Sequence, residues 1–371
     1  MRFLLCGGGT AGHVMPAIAI AEIIEKEFEN AEIAFAGRSN GDENRAYIKT
    51  GHRLYTTDIS GIPRSISINS VKSIFKIIKS SRNAKRIIRE FNPDMIIGTG
   101  GYVSFPFIRQ GQRLGIRTAM HESNVSLGLV TRLLGPRCDL LLLNHDETKN
   151  HLKSCDNALT VGNPTRSRFS DMTKAEARRR LGIANGQILV VSFGGSLGSR
   201  RFNEIIPKIM RDEPKQCASI RHIHATGRVN YEEIKAKYPE LTAKSALCRI
   251  VPYIEDMPTV LTAADIAITR SGAITVSEIC ESATPAILIP SPNVTANHQY
   301  LNAKYMKDKG AAQLIEEKEL TQNRLSEALM TLVKNQKARE EMAARAASLY
   351  KKDTDEKIAV ALRAVFYEKR R

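Results

Sequence analysis

The chain of 371 residues contains no tryptophan, and aromatic residues make up only 6% of it. Sequence-tolerant binding of single-stranded nucleic acid stacks bases on aromatic side chains, so that class starts without its usual platforms. The six cysteines (Cys6, Cys138, Cys155, Cys217, Cys248 and Cys280) are scattered, with no Cys-x-x-Cys pair and no His/Cys group at zinc spacing. A disulfide framework and a structural zinc site are disfavoured, and a reducing, cytosolic compartment is expected. No run approaches the roughly 18 to 20 apolar residues of a transmembrane helix. The stretch Phe3–Cys6 meets glycine too soon for the apolar core of a signal peptide. Missing too is the Gly-Lys-Ser/Thr ending of a P-loop, which argues against a nucleoside triphosphatase.

What is present is an ordinary globular composition, 42% hydrophobic and 25% charged, which excludes disorder and collagen-like repeats. At a rough 150 residues per domain the length suggests two domains. Fifty-five Lys and Arg against 39 Asp and Glu leave a formal charge of +16. Such a surplus does not specify a fold, but it predicts an anionic partner: nucleic acid, an acidic membrane surface or a phosphorylated substrate.

Short apolar runs alternate with amphipathic segments along the chain. Strands are predicted at Arg2–Cys6, Ile33–Ala36, Met95–Ile97, Thr118–His121 and Leu140–Leu143, with a helix from about Pro16 to Phe28. The pattern restarts after Gly162-Asn163-Pro164. A helix at Lys174–Leu181 is followed by strands at Ile188–Phe193, Ile220–Ala225, Cys248–Val251, Ile266–Thr269 and Ala286–Ile289. Alternation of this kind indicates parallel sheets covered on both faces, hence two open α/β domains with a boundary near 162–168. Residues 319–371 read as two helices. His222 and His224 are read as lying on opposite faces of their strand, in a structural role.

Glycine marks three strand-to-helix junctions: Gly7-Gly8-Gly9-Thr10-Ala11-Gly12, Gly98-Thr99-Gly100-Gly101 and Gly194-Gly195-Ser196-Leu197-Gly198. Glycine lets the backbone turn tightly and lets an anion approach the N–H groups at a helix start, although many such turns serve packing alone. The first loop fits the dinucleotide pattern Gly7-x-Gly9-x-x-Gly12. A nicotinamide dehydrogenase would need an acidic residue ending the second strand, where the chain has Ala36-Gly37-Arg38. His13 follows the first loop, on the side of an open sheet where ligands sit. A lone histidine is more often structural, but from this position an imidazole can take a proton from a hydroxyl near neutral pH.

The run GGGTAGHVMPAIAIAE (Gly7–Glu22) resembles the N-terminal signature of the MurG family of peptidoglycan N-acetylglucosaminyltransferases. GTGGYVSFP (Gly98–Pro106), HESN (His121–Asn124), VGNPTR (Val161–Arg166), FGGSLGSRRFN (Phe193–Asn203), YIEDM (Tyr253–Met257), RSGAITVSEI (Arg270–Ile279) and HQYLNA (His298–Ala303) follow in the family's order. The resemblance implies an α/β fold of GT-B architecture, two Rossmann-like parallel-sheet domains facing each other across a cleft. Residues 1–165 would receive the acceptor and meet the membrane, and 166–345 would bind UDP-GlcNAc. Residues 346–371 would be a C-terminal helix packing back on the N-terminal domain. The implied reaction moves GlcNAc from UDP-GlcNAc, with inversion, to the MurNAc 4-hydroxyl of undecaprenyl-pyrophosphoryl-MurNAc-pentapeptide (lipid I), forming lipid II. The implied setting is peripheral, on the cytoplasmic side of the cell membrane. No metal or other cofactor is expected, because helix N-termini and side chains would stabilise the leaving diphosphate.

Carried over by motif, His13 is the leading general base, with Glu122 and Tyr102 as alternatives. His121 is left as either supporting or merely packed. Gly9, Thr10, Gly12, Gly100 and Gly101 would cradle the acceptor diphosphate. Donor binding would use Thr10, Ala11, Gly12, Asn124, Arg166, Ser196, the backbone of Ile254, the helix start Ala273, Ile274, Thr275, Val276 and Ser277, and Glu278 on the ribose. Gln299 and Asn302, three apart on one helical face, would hold sugar hydroxyls, with simple helix-surface amides as the other reading. Ala11 departs from the family's usual Gly-Gly-Thr-Gly-Gly-His; its methyl group would strain a backbone needing positive φ, and accommodation is expected.

Residues 61–92 carry eight basic residues and one glutamate, +7, among a helical spacing of apolar residues. Lys72, Lys76 and Lys79 with Ile74, Phe75 and Ile78 would form a surface helix meeting anionic lipid; a helix simply packed on its domain is the alternative. The expected partners are UDP-GlcNAc, lipid I, the anionic inner face of the membrane and other cell-wall synthesis proteins, but not nucleic acid. A rival within the same architecture is a UDP-GlcNAc 2-epimerase, distinguished by its product.

Overall fold

A computed structural model describes residues 1–9, 11–39, 41, 44–58, 68–152, 156–165, 169, 172–195, 197–243 and 247–367, without the side chains of 11, 68–78, 214 and 295. The chain divides into two compact units, Met1–Arg166 with Lys351–Arg371, and Ser167–Tyr350.

The first unit runs β1 (Arg2–Cys6), α1 (Ala11–Glu27), β2 (Glu32–Arg38), α2 (Asn44–Ile48), β3 (Arg53–Thr57), α3 (Ile68–Phe91), β4 (Met95–Gly98), α4 (Gly101–Leu114), β5 (Arg117–Glu122), α5 (Leu129–Leu134), β6 (Leu140–Leu143) and β7 (Ala158–Thr160). The second runs α6 (Lys174–Leu181), β8 (Ile188–Phe193), α7 (Arg200–Gln216), β9 (Ile220–Ala225), α8 (Tyr231–Lys237), β10 (Cys248–Val251), α9 (Met257–Ala263), β11 (Ile266–Thr269), α10 (Ala273–Glu281), β12 (Ala286–Leu288), α11 (His298–Asp308), β13 (Gln313–Leu314), α12 (Gln322–Lys334) and α13 (Gln336–Leu349). α14 (Thr354–Tyr367) returns to the first unit.

Both sheets are parallel throughout. The orders are β3-β2-β1-β4-β5-β6-β7 and β10-β9-β8-β11-β12-β13. Each therefore reverses direction once, between β1 and β4 and between β8 and β11. At such a switch point the loops leaving two adjacent strands diverge and open a crevice at the strands' carboxyl ends. Strands such as β6, four consecutive leucines all buried, are apolar on both faces because helices cover the sheet on both sides. In the first unit, Phe3 and Leu5 of β1 pack with Ile18 of α1 and with Ile358 and Leu362 of α14.

Some expectations need correction. α1 starts at Ala11, five residues earlier than expected, and contains Pro16, which forfeits only the helical bond to the Gly12 carbonyl. Residues 319–371 form three helices because the Asn335 side chain accepts from Ala338 N (2.9 Å) and starts α13 afresh. The strands β3, β7 and β13 were not anticipated. All three are sheet edges, two of them only two or three residues long, and none carries an apolar run. His222 and His224 share a face, as residues two apart on a strand must. Both ring systems meet the Ser192 hydroxyl at 2.8 Å. Glu213 holds His222 Nδ1 (2.8 Å) and Asn203 holds His224 Nε2 (2.9 Å). Ser192, His222 and His224 are wholly buried, so this Ser–His–Glu arrangement is a core network closed to substrate, and burial pushes His224 down to about 3.

Candidate functional site

In the first unit the loops leaving β1 and β4 meet at the switch point. Gly100, the residue before α4, has φ of 99° and Gly101 has φ of 71°, conformations that favour glycine. His13, in the first turn of α1, lies against this second loop with Nδ1 3.1 Å from the Thr99 carbonyl. The Thr99 hydroxyl donates to the His13 carbonyl at 2.6 Å. The Ser104 hydroxyl reaches both the Cys6 and Gly100 carbonyls at 2.7 Å, and the Tyr47 hydroxyl donates to the Gly7 carbonyl at 3.0 Å. A carbonyl only accepts, so the bonded His13 nitrogen carries the proton, and in the neutral ring Nε2 holds the lone pair.

The other proposed base groups are arranged differently. Tyr102 is half-buried and packs beside Gly9, where a Cβ would come within 3.0 Å of its ring. Glu122 is buried, and its carboxylate accepts from Asn124 N (3.2 Å), Asn124 Nδ2 (3.0 Å) and Gly128 N (2.8 Å). Glu122 thereby shapes the loop that carries Asn124. His121 is fully buried with Nε2 2.9 Å from the Gly162 carbonyl, and burial lowers its basicity. Gly12 is half-buried in the first turn of α1. Ala11 is the first residue of that helix, where the backbone is right-handed and φ is negative. Thr10 lies outside the described residues, as does the side chain of Ala11.

The second unit repeats the geometry. Gly272 precedes α10 and contributes no side-chain cap, so the loop after β11 leads straight into the helix start at Ala273, the positive end of the helix dipole. Arg270 ties the two switch-point loops together. Its guanidinium donates to Ser199 Oγ (2.8 Å) and the Ile289 carbonyl (3.1 Å), pairs with Glu317 and stacks over Phe202. Thr99 and Arg270 both lay within the quoted motifs without an assigned role; only tertiary contact reveals what they hold.

One turn into α10, Val276 is buried while Ser277 and Glu278 are half-buried. Burial pushes the Glu278 carboxyl up to about 7, with the Glu281 carboxylate adding to the shift. Ile254 is buried beneath the loop after β10. Asn302 is only 1% exposed and its Nδ2 donates to the Ser271 carbonyl at 3.1 Å, so it lies beneath the loop that starts α10. The Gln299 side chain accepts from Ser291 N at 2.8 Å, and the Ser271 hydroxyl donates to its carbonyl at 2.8 Å. Both amides thus bond the loops around α10, and Asn302 at 1% exposed is no helix-surface amide. Arg166 and Ser196 lie outside the described residues.

In α3, Ala84, Ile87, Ile88 and Phe91 are buried in the sheet's cover, and Lys79, Arg82, Arg86 and Arg89 are exposed. Lys79 sits 3.9 Å from Asp58. The side chains of Lys72, Ile74, Phe75, Lys76 and Ile78 lie outside the described set. The chain's single Asp-x-Asp run, Asp353-Thr354-Asp355, opens α14. There Asp353 pairs with Lys357 (2.8 Å) and the Thr354 hydroxyl bonds the Val161 carbonyl (2.9 Å). Among the described residues no group of three His, Cys, Asp or Glu side chains is placed to hold a metal ion.

Residues 3–141 match the glycosyltransferase family 28 N-terminal domain and residues 188–358 its C-terminal domain. The UDP-N-acetylglucosamine–N-acetylmuramyl-(pentapeptide) pyrophosphoryl-undecaprenol N-acetylglucosamine transferase of Carboxydothermus hydrogenoformans is 36% identical over 371 residues, covering 100% of this chain and 99% of that one. The protein of the same name from Lacticaseibacillus casei is 34% identical over 371 residues, covering 100% of each. The crystal structure of Acinetobacter baumannii MurG superposes with a TM-score of 0.76 at 26% identity, over 98% of this chain and 99% of that one. A UDP-GlcNAc 2-epimerase from Neisseria meningitidis superposes with a TM-score of 0.64 at 13% identity, over 98% and 99% of the two chains, a likeness of fold alone. The chain belongs to glycosyltransferase family 28, and within it to the MurG group of GT-B enzymes.

Proposed function

We propose that the protein transfers N-acetylglucosamine from UDP-GlcNAc to the MurNAc 4-hydroxyl of undecaprenyl-pyrophosphoryl-MurNAc-pentapeptide, forming lipid II with inversion at the anomeric carbon. The observation that carries the mechanism is the His13 ring, seated with its Nδ1–H on the Thr99 carbonyl at the switch point of the first unit. His13 Nε2 takes the proton of the acceptor hydroxyl as that oxygen bonds the anomeric carbon. The bond from that carbon to UDP breaks, and its electron pair passes to the β-phosphate oxygen. One displacement inverts the centre. Charge growing on the diphosphate faces the N-terminus of α10, a preorganised dipole that needs no rearrangement during the reaction. Glu278 accepts the ribose hydroxyls, the Ile254 backbone meets uracil, and Arg166 and Ser196 add donors to the phosphates. Gly9, Thr10, Gly12 and the Gly100-Gly101 turn cradle the acceptor diphosphate, and Asn124 completes the sugar site. Gln299 and Asn302 serve the sugar hydroxyls while holding the loops around α10.

The enzyme works as a peripheral protein on the cytoplasmic side of the cell membrane. The basic segment 61–92 supports that reading, and among the described residues no helix is long and apolar enough to cross a bilayer. One assay tests the activity: labelled UDP-GlcNAc with a lipid I analogue should give a labelled disaccharide lipid. Formation of UDP-ManNAc without an acceptor adduct would instead assign an epimerase. In the same assay His13→Ala should lower turnover by roughly 10²–10⁴-fold, the range for a lost general base, with UDP-GlcNAc binding nearly unchanged. An unaltered rate would remove His13 from the mechanism.

A further inference from the structure

Three glycines surround one feature, a reciprocal pair of hydrogen bonds between His13 and Thr99. The Thr99 side chain holds the His13 backbone (2.6 Å), and the His13 side chain holds the Thr99 backbone (3.1 Å). A Cβ at Gly7 would lie 2.3 Å from Thr99 Oγ1 and 2.8 Å from the His13 carbonyl oxygen. At Gly100 it would lie 2.7 Å from His13 Nδ1, and at Gly101 3.0 Å from His13 Cδ2 and 2.1 Å from the Gly8 carbonyl oxygen. Glycine in a strand-to-helix loop is commonly explained by the approach of a phosphate. At Gly7 and Gly100 the space a side chain would fill is already occupied by parts of the His13–Thr99 pair, whereas at Gly101 the Gly8 carbonyl fills it first.

We propose that Thr99 is a positioning residue for His13, and that glycine at Gly7 and Gly100 leaves room for this clasp. The inference rests on the reading of His13 as general base and specifies how the base is prepared. An unrestrained neutral imidazole divides its proton between two nitrogens, and only the form with the lone pair on Nε2 serves while Nδ1 is held. The clasp selects that tautomer and fixes the ring plane before substrate arrives. Thr99 is 1% exposed, and its hydroxyl donates to the His13 carbonyl (2.6 Å) with the Cys6 carbonyl further off (3.5 Å), so it does not meet substrate directly.

The test uses the full-length protein labelled with ¹⁵N-histidine, the His13 ring signals being assigned by their loss in His13→Gln. The wild type should show a protonated Nδ1 and an unprotonated Nε2. Thr99→Val keeps the shape and removes the hydroxyl. It should give a mixture of tautomers and a kcat lower by about tenfold, a modest part of a general base's contribution, while the KM for UDP-GlcNAc changes by less than about twofold. Thr99→Ser should restore both signals and rate. Wild-type ring signals in Thr99→Val would overturn the clasp, and so would a loss that Thr99→Ser fails to restore. A scrambled tautomer with unchanged kcat would uphold the clasp and overturn His13 as the base. Should Thr99→Val not fold, Gly100→Ala, which crowds Nδ1 directly, is read by the same signals.

Discussion

At Glu278 the local environment and the proposed task pull in opposite directions. Burial and the Glu281 carboxylate favour the protonated acid, raising its value from 4.5 to about 7. Hydroxyl donors from a ribose favour the carboxylate. The free protein therefore keeps its proton up to about 7, and the donor complex gives it up at lower pH. By linkage, donor binding tightens as pH rises toward 7 and levels off above it, once the free carboxyl is already ionised. The KM for UDP-GlcNAc measured across neutral pH should fall in that way. Glu278→Gln, which cannot ionise, should flatten the profile and raise the plateau by about tenfold, the scale of a lost hydrogen bond to a charged group. A wild-type KM independent of pH would contradict this assignment. His224 shows the contrasting case: wholly buried and hydrogen-bonded to Ser192 and Asn203, it is held neutral, and no ligand can reach it.

At the scale of elements, α14 belongs to the first unit although 184 residues of the second precede it in the chain. Its Ile358 and Leu362 are fully buried beside Phe3 and Leu5, Phe366 meets Phe3 and Phe28, and Arg117 Nε donates to the Val365 carbonyl at 2.9 Å. Leu362→Ala should cost about 2–5 kcal/mol, the range for a truncated core leucine. Calorimetry should show an earlier transition for the first unit, while the transition that UDP shifts upward stays in place. An unchanged scan would mean that α14 adds nothing to that core. Strand positions such as Arg2–Cys6, Leu140–Leu143 and Ile188–Phe193 were legible because strands buried on both faces are apolar without interruption. The edge strands β3, β7 and β13 were not, since an edge needs no such run. The candidate site could be proposed from sequence where a motif brackets it, as at His13 and Glu278. The roles of Thr99, Arg270 and Asn302 were hidden because each depends on a loop distant in sequence, which only the sheet order brings near.

Over the whole molecule the +16 charge is unevenly distributed. Residues 1–165 carry +6, of which the segment 61–92 alone supplies +7, so the remainder of that stretch is slightly acidic. Residues 166–371 carry +10, more than a bound diphosphate would require. In the well-packed half of α3 the buried residues Ala84, Ile87, Ile88 and Phe91 lie opposite an exposed basic row that includes Arg82 and Arg86. An exposed basic row of this kind suits an anionic lipid surface, the contact proposed for this segment. Reversing Lys72, Lys76 and Lys79 to glutamate removes three attractions worth about 1 kcal/mol each near an anionic surface. Binding to vesicles containing anionic lipid should fall by at least roughly a hundredfold on that basis, and the wild type should itself weaken with added salt. UDP binding by the variant should match the wild type. Vesicle binding that survives the reversal would move the membrane contact elsewhere, to the unexplained charge of residues 166–371.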